Sequence, residues 1–486
     1  MAPRRHPVQA IAFADSTPPK LYLAVADTLS CISISAGTAT ATWTAPAAPA
    51  QGKPQQKVVS GKADDIDTAD AAEPTPDAAN SPSAPAPVVG KRKRSPSNTS
   101  AQSSTAVEAT ESSPAATAPQ ASKKKQKKGG NADGADASKK QPPNYIGHLL
   151  FVAEKSVLAV TTLEDKTLRL LHADTLAVVK EWTLHKRPSA ISITDSNSTI
   201  LVGDKFGDVY SYTIDSDSSS EGTLLLGHVS LLTALTAAST TTPQRQYIIT
   251  ADRDEHVRVT NYPLTHAIHT FCLAHTAFVS RLLVTADNTL ISGGGDDWLG
   301  VWDWPAGKLL QRIDVRGVLD TIFTDDEKKA IAETQRGYNR RRRWMREDDA
   351  VREADEEAKI SIAVNGIAEA MVPDGRQVIV TLEGLPVLLR YTYTATGELQ
   401  FASGIRATGP VVSLAVDASR VYFSCDTTDG ELVSQVDLAA VEPVISSLVS
   451  GEGLDVLVAE EDVEGMVERV YTVEGLRKGF GGWEDE

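Results

Sequence analysis

SGGGDDWLGVWD, residues 292–303, reads as a glycine- and aspartate-rich turn running into a strand of alternating apolar residues. Three other segments repeat its frame of small residues, a turn acid and then a β-run: TTLEDKTLRLLH (161–172), VGDKFGDVYSYT (202–213) and TADRDEHVRVTN (250–261). Their fifth positions are Asp165, Phe206, Asp254 and Asp296, spaced by 41, 48 and 42 residues. That spacing holds four short strands, and a recurring four-strand unit of this length is the sequence mark of β-propeller blades. The flanks agree. Runs such as TILVGDKFGDVYSYTI (199–214) and QYIITADRDEHVRVTNY (246–262) alternate with period two between Gly, Asp, Asn and Ser turns. Long amphipathic helical patterns are scarce, so the chain is read as all-β.

Weaker units lie at 7–44, 362–395 and 408–438, and another strand-rich stretch at 446–473. Seven blades are expected, with the two chain ends sharing one blade to close the ring. Closure hides sheet edges that would otherwise recruit other strands. Trp302-Asp303 is a WD dipeptide, and Gly227-His228 is a GH pair ahead of its blade. In WD-repeat proteins such a histidine joins the turn aspartate in a buried hydrogen-bond network bracing the blade. The pairs expected here are His228 with Asp254 and His275 with Asp296, with Asp165 and Trp302 in matching structural positions. These groups are read as structural, not as catalytic acids and bases.

Two stretches break the pattern. Residues 46–144 are built from Ala, Pro, Ser, Thr, Lys and Asp, with few large apolar residues to offset the entropy of ordering. They are expected to be a disordered insertion between the first blade segment (1–45) and the blades of 145–323. Its clusters Lys91-Arg92-Lys93-Arg94 and Lys123-Lys124-Lys125-Gln126-Lys127-Lys128 suit nuclear import or weak RNA contact, and a solvated linker explains them too; a nuclear location is expected. The second stretch, 324–359, is helix-prone and charged. It crowds Arg340, Arg341, Arg342 and Arg343 beside Trp344, a combination able to grip RNA phosphates and stack on bases. Acids bracket these arginines, and a self-neutralised surface helix explains them as well. Further blades at 360–478 and an acidic tail at 479–486 complete the chain.

Charge and cysteine content narrow the function classes. The net charge of −16 conceals an asymmetry. Residues 46–144 carry 14 basic and 10 acidic side chains, leaving 34 basic against 54 acidic elsewhere. A body that acidic repels a phosphate backbone over most of its surface, which disfavours nucleic-acid binding by this chain alone. Cys31, Cys272 and Cys425 are far apart, which argues against a zinc site or a disulfide framework. The hydrophobic runs are too short to span a membrane. No GxGxxG, Walker, HExxH or serine-elbow motif occurs, and GGGDD (293–297) precedes a strand, whereas a cofactor loop opens a helix.

The strings KRPSAISI (186–193), VGDKFGDVYSY (202–212), LLGHVSLLTAL (225–235), ITADRDEHVRVTNYP (249–263), HTAFVSRLL (275–283) and GGGDDWLGVWDW (293–304) follow one another closely. Together they resemble the WD-repeat, non-catalytic subunit of tRNA (guanine-N7)-methyltransferase. The likeness is strong over 145–310 and weak in the insertions and beyond residue 360. It implies a heterodimer in which a separate Rossmann-like subunit binds S-adenosylmethionine and methylates a guanine of the tRNA variable loop. The propeller would stabilise and activate that subunit without cofactor or metal of its own, and any tRNA contact would run mainly through the complex. The resemblance also points to a partner contact at the position of Arg258, whose strand alternation sets it opposite in facing to Val257 and Val259. Lys205, Arg253, Lys186 and Arg187 are further candidates, each equally readable as a solvated charge. A generic WD scaffold, such as a ubiquitin-ligase receptor or ribosome-assembly factor, shares the frame but needs neither DKFGDVY nor DRDEHVRV. A propeller enzyme would need a convergent set of polar groups that the sequence does not display.

Overall fold

The computed structural model describes residues 4–48, 143–216, 221–342, 359–427, 431–440 and 443–450, with short stretches at 457–458, 466–467, 470–473 and 476–477. Most of the expected insertion at 46–144, Arg343, Trp344 and the tail from 478 therefore lie outside the described residues.

Seven antiparallel four-stranded sheets follow one another along the chain, at 10–44, 146–183, 188–227, 232–272, 279–314, 364–406 and 411–450. They are called blades one to seven here. Each is a meander in which neighbouring strands pair in sequence order. The innermost strand of each blade packs on that of the next, and Ala10–Ala14 of blade one meets Val411–Asp417 of blade seven. Burial follows position. The second strand of blade two, Val157–Thr162, is buried throughout, whereas the outermost strand of blade one, Thr38–Thr44, is largely exposed. Strands covered on both faces lose the period-two alternation, which is why the inner strands read as continuous apolar runs.

The ring closes differently from the expectation. Blade one is complete within 10–44 and blade seven within 411–450, so the chain ends share no blade. Closure is instead made side by side: Leu21, Leu23 and Ile32 pack with Tyr422, Val433 and Val449. The Ser413 and Ser424 hydroxyls donate to the Val8 carbonyl at 3.2 and 2.6 Å. Arg4–Arg5 also pairs with Leu457–Val458 in a separate two-stranded ribbon. Among the described residues, the stretch at 446–473 supplies most of an outer strand of blade seven and one side of this ribbon.

Inner-strand side chains stitch most joints. Gln9 Nε2 donates to Ile146 O (2.6 Å), His148 Nε2 to Ser189 O (3.1 Å) and Asn365 Nδ2 to Val411 O (2.8 Å). The Thr233 and Ser280 hydroxyls reach the Val279 and Val364 carbonyls. Among the described residues, the joint between blades three and four has no such inner-strand bond. Leu232 fills the space above Gly203 there, and the Ser189 hydroxyl is buried without a partner.

The helical insertion begins earlier than its composition indicated. Helix α1 spans Val315–Ile322 and α2 spans Asp325–Arg342. Asp314, the last residue of blade five, caps α1 by accepting the Gly317 amide at 2.9 Å. Val315 and Leu319, one turn apart, bury into the cluster that also holds Ile362 and, from the next blade, Val364 and Leu382. Arg340, Arg341 and Arg342 belong to the end of α2.

Candidate partner-docking surface

The blade networks come first, because they set the turns on which the candidate residues sit. In blade five, Trp302 Nε1 donates to the Ser292 hydroxyl (2.8 Å), which lies 2.7 Å from His275 Nε2; His275 Nδ1 lies 2.7 Å from Asp296 Oδ2. A carboxylate only accepts, so Nδ1 carries the proton and Nε2 receives that of Ser292. Burial pushes the Asp296 carboxyl up, but bonds from His275 and Thr276 outweigh it and hold the group below its ordinary range.

Blade four departs from the expected pairing. His228 Nδ1 bonds Asp252 Oδ2 (2.9 Å), not Asp254, and His228 Nε2 meets the Thr250 hydroxyl (2.7 Å). Asp254 is the counterpart of Asp296 in the repeat frame. The strand-end position two residues earlier is Gly294 in blade five but Asp252 in blade four, and that nearer carboxylate takes the histidine. Asp252 Oδ1 also accepts the Asp254 and His256 amides at 2.9 and 3.1 Å, which tightens the turn. Asp165 of blade two works without histidine: it holds the Thr162 hydroxyl and an ion pair to Arg169 Nη2 at 2.7 Å.

Blade three lacks the histidine network. Leu184 and Val202 occupy the places of His228 and Thr250, as the strand registers show. Its turn presents a half-exposed Phe206, with Lys186 Nζ 4.6 Å and Lys205 Nζ 5.6 Å from the ring centroid. Gly207 follows at φ +96°, and a Cβ there would strike the His228 and Ser230 carbonyls. That close approach joins the turn to the 227–230 peptide that leads into the next blade, where Val229 is fully exposed.

Arg258 stands on the other side of the same peptide. Val257 and Val259 are buried, while the Arg258 side chain folds back so that Nη1 donates to Gly227 O at 3.0 Å. Its Nε and Nη2 are buried without hydrogen-bond partners, and desolvation pulls the guanidinium below its ordinary pKa. Phe271 lies opposite in register, and both it and Leu273 are exposed. Blades three and four thus carry the exposed apolar side chains Phe206, Val229, Phe271 and Leu273, with Lys186 and Lys205 beside Phe206 and Arg258 opposite Phe271 in register. Large exposed apolar groups set among cations are what a protein partner covers.

Two candidates are held by the chain itself. Arg253 Nε donates to Leu476 O at 3.1 Å, within a C-terminal strap whose Val473 amide donates to Glu383 (2.7 Å) and whose Arg477 Nη2 donates to Ile362 O (2.9 Å). Arg187 Nη2 pairs with Glu164 of blade two at 3.0 Å. Sequence reasoning did not find Asp252, Val229 or Phe271. The recurrence of aspartate at the third frame position, in Asp204 and Asp252, was the available signal for the first. The glycine run 293–297 is filled by protein: a Cβ on Gly294 would lie 1.8 Å from Phe278 O. Among the described residues no three His, Cys, Asp or Glu side chains gather as metal ligands, and no helix is long and apolar enough to cross a membrane.

The family model described as the tRNA methyltransferase TRM82 WD40 domain matches residues 21–221 and 214–442. The chain belongs to this TRM82 WD40 family. A relative from Sclerotinia sclerotiorum, named tRNA (guanine-N(7)-)-methyltransferase non-catalytic subunit trm82, is 31% identical over 59% of this chain and 64% of its own length. TRM82 proteins of the same description from Meyerozyma guilliermondii and Saccharomyces cerevisiae are 39% and 36% identical, each over 38% of this chain, and over 46% and 43% of their own length. The chain thus spans less than two thirds of the length of these TRM82 relatives.

Proposed function

We propose that this chain is a non-catalytic subunit of a tRNA (guanine-N7)-methyltransferase, stabilising and activating a separate catalytic subunit in a heterodimer. The relatives' shared name supports the reading, and the docking surface gives it a physical form. Its central observation is Arg258, whose Nε and Nη2 are buried, unpaired and bordered by exposed apolar groups. The nearby Asp252 carboxylate offsets only part of the desolvation of this half-buried cation, and a partner carboxylate that drew the guanidinium outward would supply the charge-assisted bonds it lacks. Phe206, Val229 and Phe271 would supply the desolvated contact around it, with Lys186 and Lys205 steering an acidic partner patch.

On this reading S-adenosylmethionine binds the catalytic subunit, which forms 7-methylguanosine in the variable loop. The role of this chain is to hold that subunit's active conformation. Contact of this chain with tRNA is auxiliary, and the lysine clusters at 91–94 and 123–128 direct the protein to the nucleus.

The test is co-expression with the candidate catalytic subunit, purification through a tag on this chain, and a methylation assay on unmodified tRNA. A stoichiometric complex, active where this chain alone is silent, is the expected result. Arg258→Glu is expected to weaken the complex by about 30-fold or more while the propeller stays folded. Unaltered co-purification of that variant would remove Arg258 from the interface, and methyl transfer by this chain alone would overturn the reading.

A further inference from the structure

The turn of blade three holds an aspartate that the fold satisfies only by half. Asp204 Oδ1 accepts the Phe206 amide at 2.8 Å and the Asp208 amide at 3.1 Å. Asp252 makes the same two bonds in blade four and uses its second oxygen for His228. In blade three that histidine is Leu184, and the second Asp204 oxygen is buried with no hydrogen-bond partner. Asp204 itself is 3% exposed. Burial raises its carboxyl pKa, and the two amides only partly oppose it.

A buried acceptor left without a donor is destabilising, and more so when it is charged. An apolar side chain beside Leu184 would avoid that cost but would release the turn. The residue next to be lost would be Phe206, whose amide Asp204 fixes and whose ring lies at the centre of the docking surface. An ionised acceptor also makes shorter and stronger bonds to amides than a neutral one.

We propose that Asp204 is a positioning residue of the docking surface, its carboxylate locking the turn that presents Phe206 and Lys205 to the partner while its second oxygen stays unsatisfied. The inference rests on the docking reading above and adds to it a residue that touches no partner atom. It predicts that stability and docking separate at this position. Replacements that empty the site relieve the buried charge yet loosen the turn, whereas a conservative amide relieves the charge and keeps the cap.

The experiment compares Asp204→Ala, Asp204→Asn, Phe206→Ala and Arg258→Glu in the full chain. It reads the Kd for the catalytic subunit, the Tm, and hydrogen exchange of the Phe206 and Asp208 amides. For Asp204→Ala, exchange at both amides is expected to quicken about tenfold or more and Kd to weaken about tenfold, with Tm essentially unchanged. Asp204→Asn is expected to keep Kd within about threefold, since its Oδ1 still accepts the Phe206 and Asp208 amides. If Asp204→Ala binds as wild type while Phe206→Ala loses binding, the surface is right and the positioning role is wrong. If Phe206→Ala and Arg258→Glu both bind as wild type, the surface itself is wrong and this inference falls with it. Equal loss of Tm and of affinity in both Asp204 variants would reduce the residue to an ordinary fold contact.

Discussion

Blades three and five are built on the same four-strand plan, yet their turns are held in opposite ways. In blade five a tryptophan, a serine, a histidine and an aspartate form one satisfied chain of hydrogen bonds with no polar atom to spare. In blade three leucine and valine replace the histidine and the serine, and an aspartate oxygen is orphaned beneath an exposed phenylalanine. Blade four stands between them: Asp252 and Thr250 satisfy its histidine, but the hydroxyl of Thr260, which takes the place of Trp302, is buried without a partner, as are two nitrogens of Arg258 at the blade's margin. The contrast separates two arrangements: blade five satisfies its network internally, whereas blades three and four keep buried polar atoms without partners. Buried polar atoms without partners also occur at Tyr391, Tyr393, Tyr422 and Gln435 of blades six and seven; what sets Asp204 and Arg258 apart is the exposed Phe206 and Phe271 beside them.

The contrast can be tested by substitution. Trp302→Ala removes a fully buried ring and the donor to Ser292, and an unfolding free energy lower by about 3–5 kcal/mol is expected from denaturant titration at unchanged m. Asp296→Ala leaves His275 buried without its acceptor, so a loss of about 2–3 kcal/mol is expected by the same measurement. A small effect there would mean that blade five does not depend on its network. The reverse experiment builds the network into blade three. Leu184→His with Val202→Thr supplies the missing donor to Asp204, and a gain of about 1 kcal/mol is expected. Destabilisation by the pair would show that packing with Trp182 and Tyr212 outweighs the orphaned oxygen.

The smallest effect is in the acid range. Asp252 and Asp296 are held below the ordinary carboxylate pKa, so their stabilisation is present above that range and is lost as pH falls through their folded values. Asp204 is raised, so its contribution runs the other way: it is favourable when protonated and lost as pH rises through its folded value. The Tm of wild type is therefore expected to fall relative to that of Asp204→Asn as pH climbs out of the acid range. A constant difference would show that the Asp204 charge carries no penalty.

The period of the turn frames made the seven blades legible, because strand spacing is imposed by the chain and needs no knowledge of neighbours. Ring closure was not legible. Whether two chain ends share a sheet depends on contacts between residues some 400 apart, and both solutions bury the same apolar pattern. The network acid of blade four was misplaced by two residues, since Asp252 and Asp254 are chemically identical and only the reach of His228 distinguishes them. Arg258 stood out through its place in DRDEHVRV, but its missing partners are a property of packing. Arg253 looks equally basic in the sequence and is instead tied to the C-terminal strap.

Closure without a shared blade has a consequence for biogenesis. Blade one is finished early in translation, yet the flank that receives the Ser424 hydroxyl waits for a residue 416 positions later. At synthesis rates of about 5–20 residues per second, that flank stays uncovered for roughly 20–80 seconds. A nascent chain carrying a completed sheet with a bare apolar side is a natural client for a holding chaperone.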